Sequence, residues 1–267
     1  MGQPKFYVTV KMLSFYMQKL NIFAYICTVK STDLIIDRIN EIGEGIVFTY
    51  SDLSLPSEMQ SAAAMSLSRM VAENKLKKVS KGKFYKPHNS RLGTMSPALD
   101  ELMKDLIYKD GRTIGYITGV PAFAQLGLTT QISSQIKIGS KNYRRPFERG
   151  GYIISYIKQE NEISNKSIPL LRFLDTLRFI KKIPACTVDN AINILLQKLT
   201  SFTEQEIQNL QDYSKNYTAS TRALLGAMLE LSGFSDNSLK ATLNPLSTYK
   251  VGVSNNILPN KSNWNIL

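Results

Sequence analysis

The side chains in this sequence that could do chemistry are mostly lysines. Between Asn74 and Asp100 come Lys75, Lys77, Lys78, Lys81, Lys83, Lys86 and Arg91, with no acid among them. Cations massed in this way bind phosphate, because each one that neutralises a nucleic-acid backbone charge releases a condensed counterion. Groups for covalent or metal chemistry are scarce. His88 is the one histidine, so metal cages built on two imidazoles are excluded, and a Ser-His-Asp arrangement would hang on a residue inside the basic stretch. Cys27 and Cys186 lie far apart, outside any C-x-x-C pattern, and read as reduced cytosolic thiols. No G-x-x-x-x-G-K-S/T loop is present, and no G-x-G-x-x-G follows a strand. Asp-x-Asp does not follow Gly139-Ser140, so the paired carboxylates of a two-metal nucleotidyltransferase are missing there. Asp100, Glu101, Asp105 and Asp110 fall on a predicted helix and turn, where solvation is their default role. The expectation is a protein that is not an enzyme, with no catalytic residue, no metal and no cofactor.

The whole chain leans the same way. Its 267 residues carry a formal charge of +12, which favours an anionic partner. That length suits one large domain or two small ones, and the apolar fraction is ordinary for a globular protein. Residues 1–30 stand apart: they are rich in Phe, Tyr, Met and Ile and contain no acid. Their apolar runs, Met12–Met17 and Leu20–Val29, are split by Gln18-Lys19, and each falls short of a membrane span. No secretory cleavage site follows them, and position 6 lacks the Ser or Thr of a myristoylation signal. They read as a loosely attached extension, or as translated leader ahead of the start. No membrane association is expected, and the location is expected to be cytoplasmic.

The lysine run needs elements to hold it. Ser31 and Thr32 can cap a helix striped by Leu34, Ile35, Ile39 and Ile42 and ended by Gly43. Gly45–Phe48 predicts a short strand, Thr49 caps a brief helix over Ser51–Leu53, and Pro56 opens a helix through Ser57–Asn74. On that helix Ala63, Ala64, Leu67, Met70 and Val71 share one face. The opposite face carries Glu58, Ser61, Ala62, Met65, Ser68, Arg69 and Glu73. Its small side chains would let the helix lie deep in a major groove. Leu76–Val79 and Phe84–Lys86 can then pair around Ser80–Lys83, with Gly82 supplying the turn. Helix, strand, short helix, helix and hairpin over about sixty residues is the order of a winged helix-turn-helix. The expected fold class is therefore α+β. A winged helix-turn-helix over 31–92 precedes a larger mixed domain over 93–267, which has a helical second half and an irregular tail from about 247.

In that second domain Asn89–Met95 reads as a linker, and Ser96-Pro97 starts a helix running to Tyr108. Strands are predicted at Thr113–Thr118, Ser134–Ile138 and Tyr152–Ile157, with a short helix between Gly119 and Gly127. Beyond Pro169 the pattern is helical. Leu170, Phe173, Leu174, Leu177 and Ile180 stripe the first helix, and Thr187 caps Val188–Leu199. Thr203-Glu-Gln-Glu206 is a capping box, and Thr218–Ser232 follows, stopped at Gly233.

Four segments in this order resemble the AbiEi-like antitoxins of type IV toxin–antitoxin (abortive infection) systems, in a branch often described only as of unknown function. They are Gly43–Phe48, Ser66–Val71 leading into Lys75-Leu76, Gly119–Gln131 with Leu126-Gly-Leu-Thr-Thr-Gln131, and Thr221–Gly226. Leu243–Lys250 fits as well, so the resemblance runs from about Leu34 to the C-terminus. It implies an antitoxin that represses its own operon by binding promoter inverted repeats, two molecules to one operator. It also implies a C-terminal domain that counteracts a nucleotidyltransferase toxin without a tight complex. Carried over by position, Ser57, Gln60, Ser61, Ser68 and Arg69 would enter the groove of double-stranded operator DNA, and Lys77, Lys78, Lys81 and Lys83 would meet phosphates.

Two further basic clusters are candidates for an antitoxic or second nucleic-acid surface: Arg144, Arg145 and Arg149, and Arg172, Arg178, Lys181 and Lys182. Each also fits a solvated basic face. Arg222 reads as a buried partner of an acid such as Glu230 or Asp189. Two other functions stay open on the sequence alone. One is a stand-alone winged-helix regulator. The other is a basic RNA or protein interaction module, for which Tyr143, Phe147, Tyr152 and Tyr156 would have to share an open face.

Overall fold

The computed structural model describes residues 32–91, 93–234 and 238–267. The expectations for 1–30 and for Ser31 as a cap lie outside them. The chain is α+β and divides into two units, one ending at Leu102 and one spanning Met103–Leu267. The expected border at 92/93 is displaced because a hairpin crosses it: β4 (His88–Ser90) pairs with β5 (Gly93–Met95) where a linker was predicted.

In the first unit, residues 32–41 form helix α1. Ile35 and Ile39 are buried while Leu34 is largely exposed, so the stripe runs one residue later than Leu34 suggested. Strand β1 (Val47–Thr49) and a 3-10 turn at Ser51–Leu53 follow. Asp52 closes this corner by accepting from the Thr49 amide at 2.7 Å and the Thr49 hydroxyl at 2.8 Å. The long predicted helix begins as a 3-10 turn, Ser57–Met59, and continues as α2 (Gln60–Ala72). It ends where Asn74 takes a left-handed φ of 57°, a conformation asparagine tolerates, and the Lys75 and Leu76 amides fold back onto the Met70 carbonyl.

Strands β2 (Lys77–Ser80) and β3 (Lys83–Tyr85) then form a hairpin, and β1 pairs on the other edge of β3. The turn is tighter than predicted. Ser80 pairs with Lys83, leaving only Lys81 and Gly82 between, with Gly82 at φ +73°. Ile35, Ile39, Phe48, Leu53, Ala63, Leu67, Leu76 and Phe84 make one core beneath α1, α2 and the sheet.

In the second unit α3 (Leu99–Ile107), which starts in the first, opens at Leu99 and not at the predicted Pro97, with the Leu102 amide donating to the Ala98 carbonyl. A small hairpin, β6 (Tyr108–Lys109) with β7 (Arg112–Thr113), precedes a four-stranded mixed sheet. The sheet comprises β8 (Gly115–Thr118), β9 (Gln135–Ser140), β10 (Phe147–Arg149) and β11 (Tyr152–Lys158), ordered β10-β11-β9-β8. Strand β9 runs parallel to β11 and antiparallel to β8. Cross-strand pairing puts Ile117, Ile136, Ile138 and Ile154 on one buried face. Helix α4 (Val120–Gln125) lies between β8 and β9 in the chain.

The helical part consists of α5 (Ile168–Arg178), α6 (Val188–Leu199), α7 (Glu204–Ser214) and α8 (Ala219–Leu231). Thr187 and Thr203 cap their helices as predicted, Thr203 through a full capping box with Glu206, and Thr218, expected as the first residue of the next helix, is instead its cap. After α9 (Ser238–Ala241) the tail is irregular in secondary structure yet part of the core, burying Val251, Val253, Leu258, Trp264 and Ile266. Gly226 is the reason Trp264 fits: a Cβ there would sit 2.1 Å from the indole Cζ3. Glu230 accepts from the Trp264 indole N–H, and Asn263 donates to its other oxygen at 3.1 Å.

Sheet and helices are tied by a buried carboxylate. A Cβ at position 139 would come within 2.4 Å of the Tyr116 ring, so Gly139 lets that ring lie across β9. The Tyr116 hydroxyl donates to Asp175 Oδ2 at 2.7 Å and the Tyr217 hydroxyl to Oδ1 at 3.0 Å. Gln159 Nε2 reaches both tyrosine oxygens at 2.9 Å. Asp175 has no exposed surface. Burial pushes its carboxyl up to about 6, against the lowering effect of the hydroxyls that donate to it. The folded state therefore holds this proton more tightly than the unfolded chain does. Its contribution is most favourable below the unfolded value near 3.8 and is lost as pH rises through about 6. The capping and pairing carboxylates Asp189, Glu206 and Glu230 shift downward and act in the opposite sense. The difference from Asp175→Asn isolates the buried group. Urea unfolding at pH 4 and pH 7 should show wild type losing roughly 2 kcal/mol relative to that variant. A difference that does not change with pH would contradict this account.

Candidate nucleic-acid interface

Leu67 and Ala63 turn α2 inward, and that fixes what it shows outward. Ser57, Gln60, Ser61, Ser68 and Arg69 are all exposed, on the 3-10 turn or on the helix itself. Ala62 differs from the expectation and packs against the edge of the core. Glu73 lies four residues beyond Arg69, the spacing of a helical ion pair, but Lys75 occupies its carboxylate at 2.8 Å. Arg69 makes no ion pair among the described residues.

The hairpin adds cations next to this helix in the chain. Lys77 stands opposite Tyr85 and Lys78 opposite Phe84, so the two side chains leave from opposite faces of β2. Both reach solvent because β2 is an edge strand. A register shift between Lys78 and Ser80 twists the edge, which also keeps Val79 only half-buried. Lys81 is exposed at the turn. Lys83 is half-buried opposite Thr49 and belongs more to the sheet than to the tip. Eight of the nine residues singled out from the sequence in this unit are thus exposed, with Lys83 the exception. Chemically, the surface offers hydroxyls, an amide and a guanidinium on a helix, and ammonium groups on a hairpin. That set can donate hydrogen bonds to base edges and neutralise phosphates. His88 lies outside it, with Nδ1 2.5 Å from Glu44. Among the described residues no group of three His, Cys, Asp or Glu side chains is placed to hold a metal ion.

In the second unit the structure breaks up both basic clusters. Arg144 and Arg145 are exposed, but Arg149 is not part of their surface. Its side chain is 7 % exposed and forks onto Asp105, at 2.6 Å to Oδ1 and 3.3 Å to Oδ2. Strand β10 is thereby fastened to α3. Arg172 is likewise structural, donating from Nε to the Ile117 carbonyl and from Nη1 to Gln125 Oε1, both at 2.9 Å. Arg178, Lys181 and Lys182 remain exposed. They gain a neighbour that sequence reasoning missed: Lys137, Arg178 and Lys182 each lie within 6.0 Å of the centroid of the Phe179 ring. A period-two reading of β9 could have placed Lys137 on the face opposite Ile136 and Ile138, but not beside a helix forty residues on.

Arg222 has no acidic partner among the described residues. It donates to the Tyr217 carbonyl at 2.6 Å and the Thr242 carbonyl at 3.2 Å, while Asp189 accepts from the Ser254 amide at 2.8 Å. Glu230, the other expected partner, serves Trp264. The four aromatics that base stacking would need do not form an open platform. Tyr143 is 66 % exposed, whereas Phe147 and Tyr152 are half-buried and Tyr156 is buried.

Residues 34–166 of the chain match the model of a family of unknown function, DUF6088. This stretch takes in the described first unit from Leu34 and the second unit's sheet, and stops short of α5. No curated protein matches the chain. Among solved structures it is similar to the crystal structure of the RV2827C protein from Mycobacterium tuberculosis, with a TM-score of 0.45 and 14 % identity over 78 % of this chain and 82 % of that one.

Proposed function

We propose that the first unit is a winged helix-turn-helix that grips double-stranded operator DNA, with α2 in the major groove and the β2–β3 hairpin along the phosphates. The chain would then be an antitoxin and autorepressor of the AbiEi-like kind, acting in the cytoplasm. The observation that carries the DNA-binding part is one continuous run of chain. An exposed helix face of small polar residues and Arg69 leads, without an intervening domain, into an edge hairpin bearing Lys77, Lys78 and Lys81. The bland reading of the same lysines is edge protection against aggregation. It explains the hairpin but not the small, polar outward face of the helix before it. The antitoxic part rests on the sequence resemblance, which implies that the second unit counteracts a nucleotidyltransferase toxin without binding it tightly. Two protomers on an inverted repeat are expected for the same reason. The RNA-binding alternative loses support because only Tyr143 of its four aromatic residues is exposed, and an enzymatic role gains none.

Charge reversal on the hairpin tests the DNA-binding part. Lys78→Glu with Lys81→Glu leaves the core side chains untouched, because both lysines are exposed. Gel-shift titration should show duplex binding lost at least tenfold and a shallower salt dependence, as fewer phosphates are neutralised. Unchanged affinity at matched salt would contradict the assignment of the wing. In cells, the same variant should lose repression of its own promoter yet still rescue growth when co-expressed with a neighbouring nucleotidyltransferase gene. Rescue lost together with repression would count against the division of labour between the two units. The absence of such a gene would favour a stand-alone regulator.

A further inference from the structure

The position on α2 most squarely opposite its buried residues does not hold a polar group. Ala63 and Leu67, the two buried residues of the helix, each lie two positions from Met65, about 200° around the axis. Met65 therefore points directly away from them, and it is 67 % exposed, the most exposed large apolar side chain in the described part of the first unit. Ser61, Ser68 and Arg69, all exposed, surround it on the same face. A lone apolar residue on a surface needs no explanation by itself. Here the surrounding face is otherwise small or polar, and it is the face a groove would receive.

On this arrangement we infer that Met65 is a specificity-determining residue that packs on the 5-methyl group of a thymine, next to a guanine read by Arg69. The inference rests on the DNA-binding reading above. In the major groove the thymine methyl is the one apolar feature, and apolar side chains recognise it by contact. Methionine is long and unbranched enough to reach it without demanding one fixed rotamer. Arg69 suits guanine because a guanidinium can donate to O6 and N7 together, and its helical partner Glu73 is already engaged by Lys75. Residues four apart on a helix place their Cβ atoms about 5–6 Å apart. That spans no more than about two base steps, so the thymine and the guanine belong to the same or neighbouring positions of one half-site.

The test starts from duplexes selected by the full-length protein from a randomised pool. The enriched motif should contain a thymine within two base pairs of a guanine. Replacing that thymine by uracil removes only the methyl group, and should weaken wild-type binding about fourfold, the worth of one buried methyl. The Met65→Ala protein, whose exposed substitution spares the core, should bind thymine and uracil duplexes equally. Arg69→Ala should lose preference for the guanine while keeping its response to uracil. An enriched motif without such a thymine would overturn the inference, as would equal uracil sensitivity in wild type and Met65→Ala. Enrichment of no sequence at all, with no duplex binding, would overturn the DNA-binding reading and this inference with it.

Discussion

Phe84 is the side chain on which the first unit's surface depends. Its ring meets Tyr50 edge-on at 5.6 Å and Phe48 at 6.2 Å, and its strand is the middle one of three. A two-stranded hairpin alone is marginal in water. Here β3 gains β1 on one edge and buries Phe84 against the residues that also hold α2. Burying one phenylalanine contributes about 2–3 kcal/mol, enough to keep a hairpin of mutually repelling lysines in place. Lys77, Lys78 and Lys81 are exposed, so the hairpin's anchoring falls to its core side chains and not to these three lysines. The same core, through Ala63 and Leu67, fixes which side of α2 faces outward.

The second unit solves a different problem. Its sheet and helices meet through a carboxylate with no solvent contact, held by two tyrosine hydroxyls that a glutamine in turn bridges. Burying a charge is costly unless it is fully hydrogen-bonded, and Asp175 accepts at both oxygens. Tyr116 on β8 and Tyr217 just before α8 converge on this one side chain of α5, and Gln159, just past β11, bridges the two tyrosine oxygens. This specifies a unique packing at some expense of stability at neutral pH. Trp264 does similar work apolarly, pressing the tail onto α8 where only a glycine leaves room.

Local signals carried much of this structure in the sequence. The capping threonines, α2, the lysine hairpin and the helical second half are written in short-range patterns, and each lies within two or three residues of its predicted place. What the sequence concealed is long-range. Arg149 looked like the end of a basic surface run, but it is buried by Asp105, 44 residues earlier. Arg222 sits beside plausible acids, yet carbonyls at helix ends take its donors. The tail lacks periodicity because it packs through isolated residues and not through a helix face. The domain border moved because residues 88–95 found their hydrogen bonds in each other, which composition cannot reveal. Met65 was legible as exposed; that it lies opposite both buried residues of its helix became plain only once their burial was known.

The central claim is that residues 57–85 are the DNA-contacting surface. Hydrogen-exchange mass spectrometry of the full chain, with and without a selected duplex, addresses it most directly. Slower exchange is predicted across 57–72 and 77–85, with the amides around Asp175 unchanged. Protection confined to the second unit, or no protection anywhere under conditions where the duplex is bound, would contradict the account.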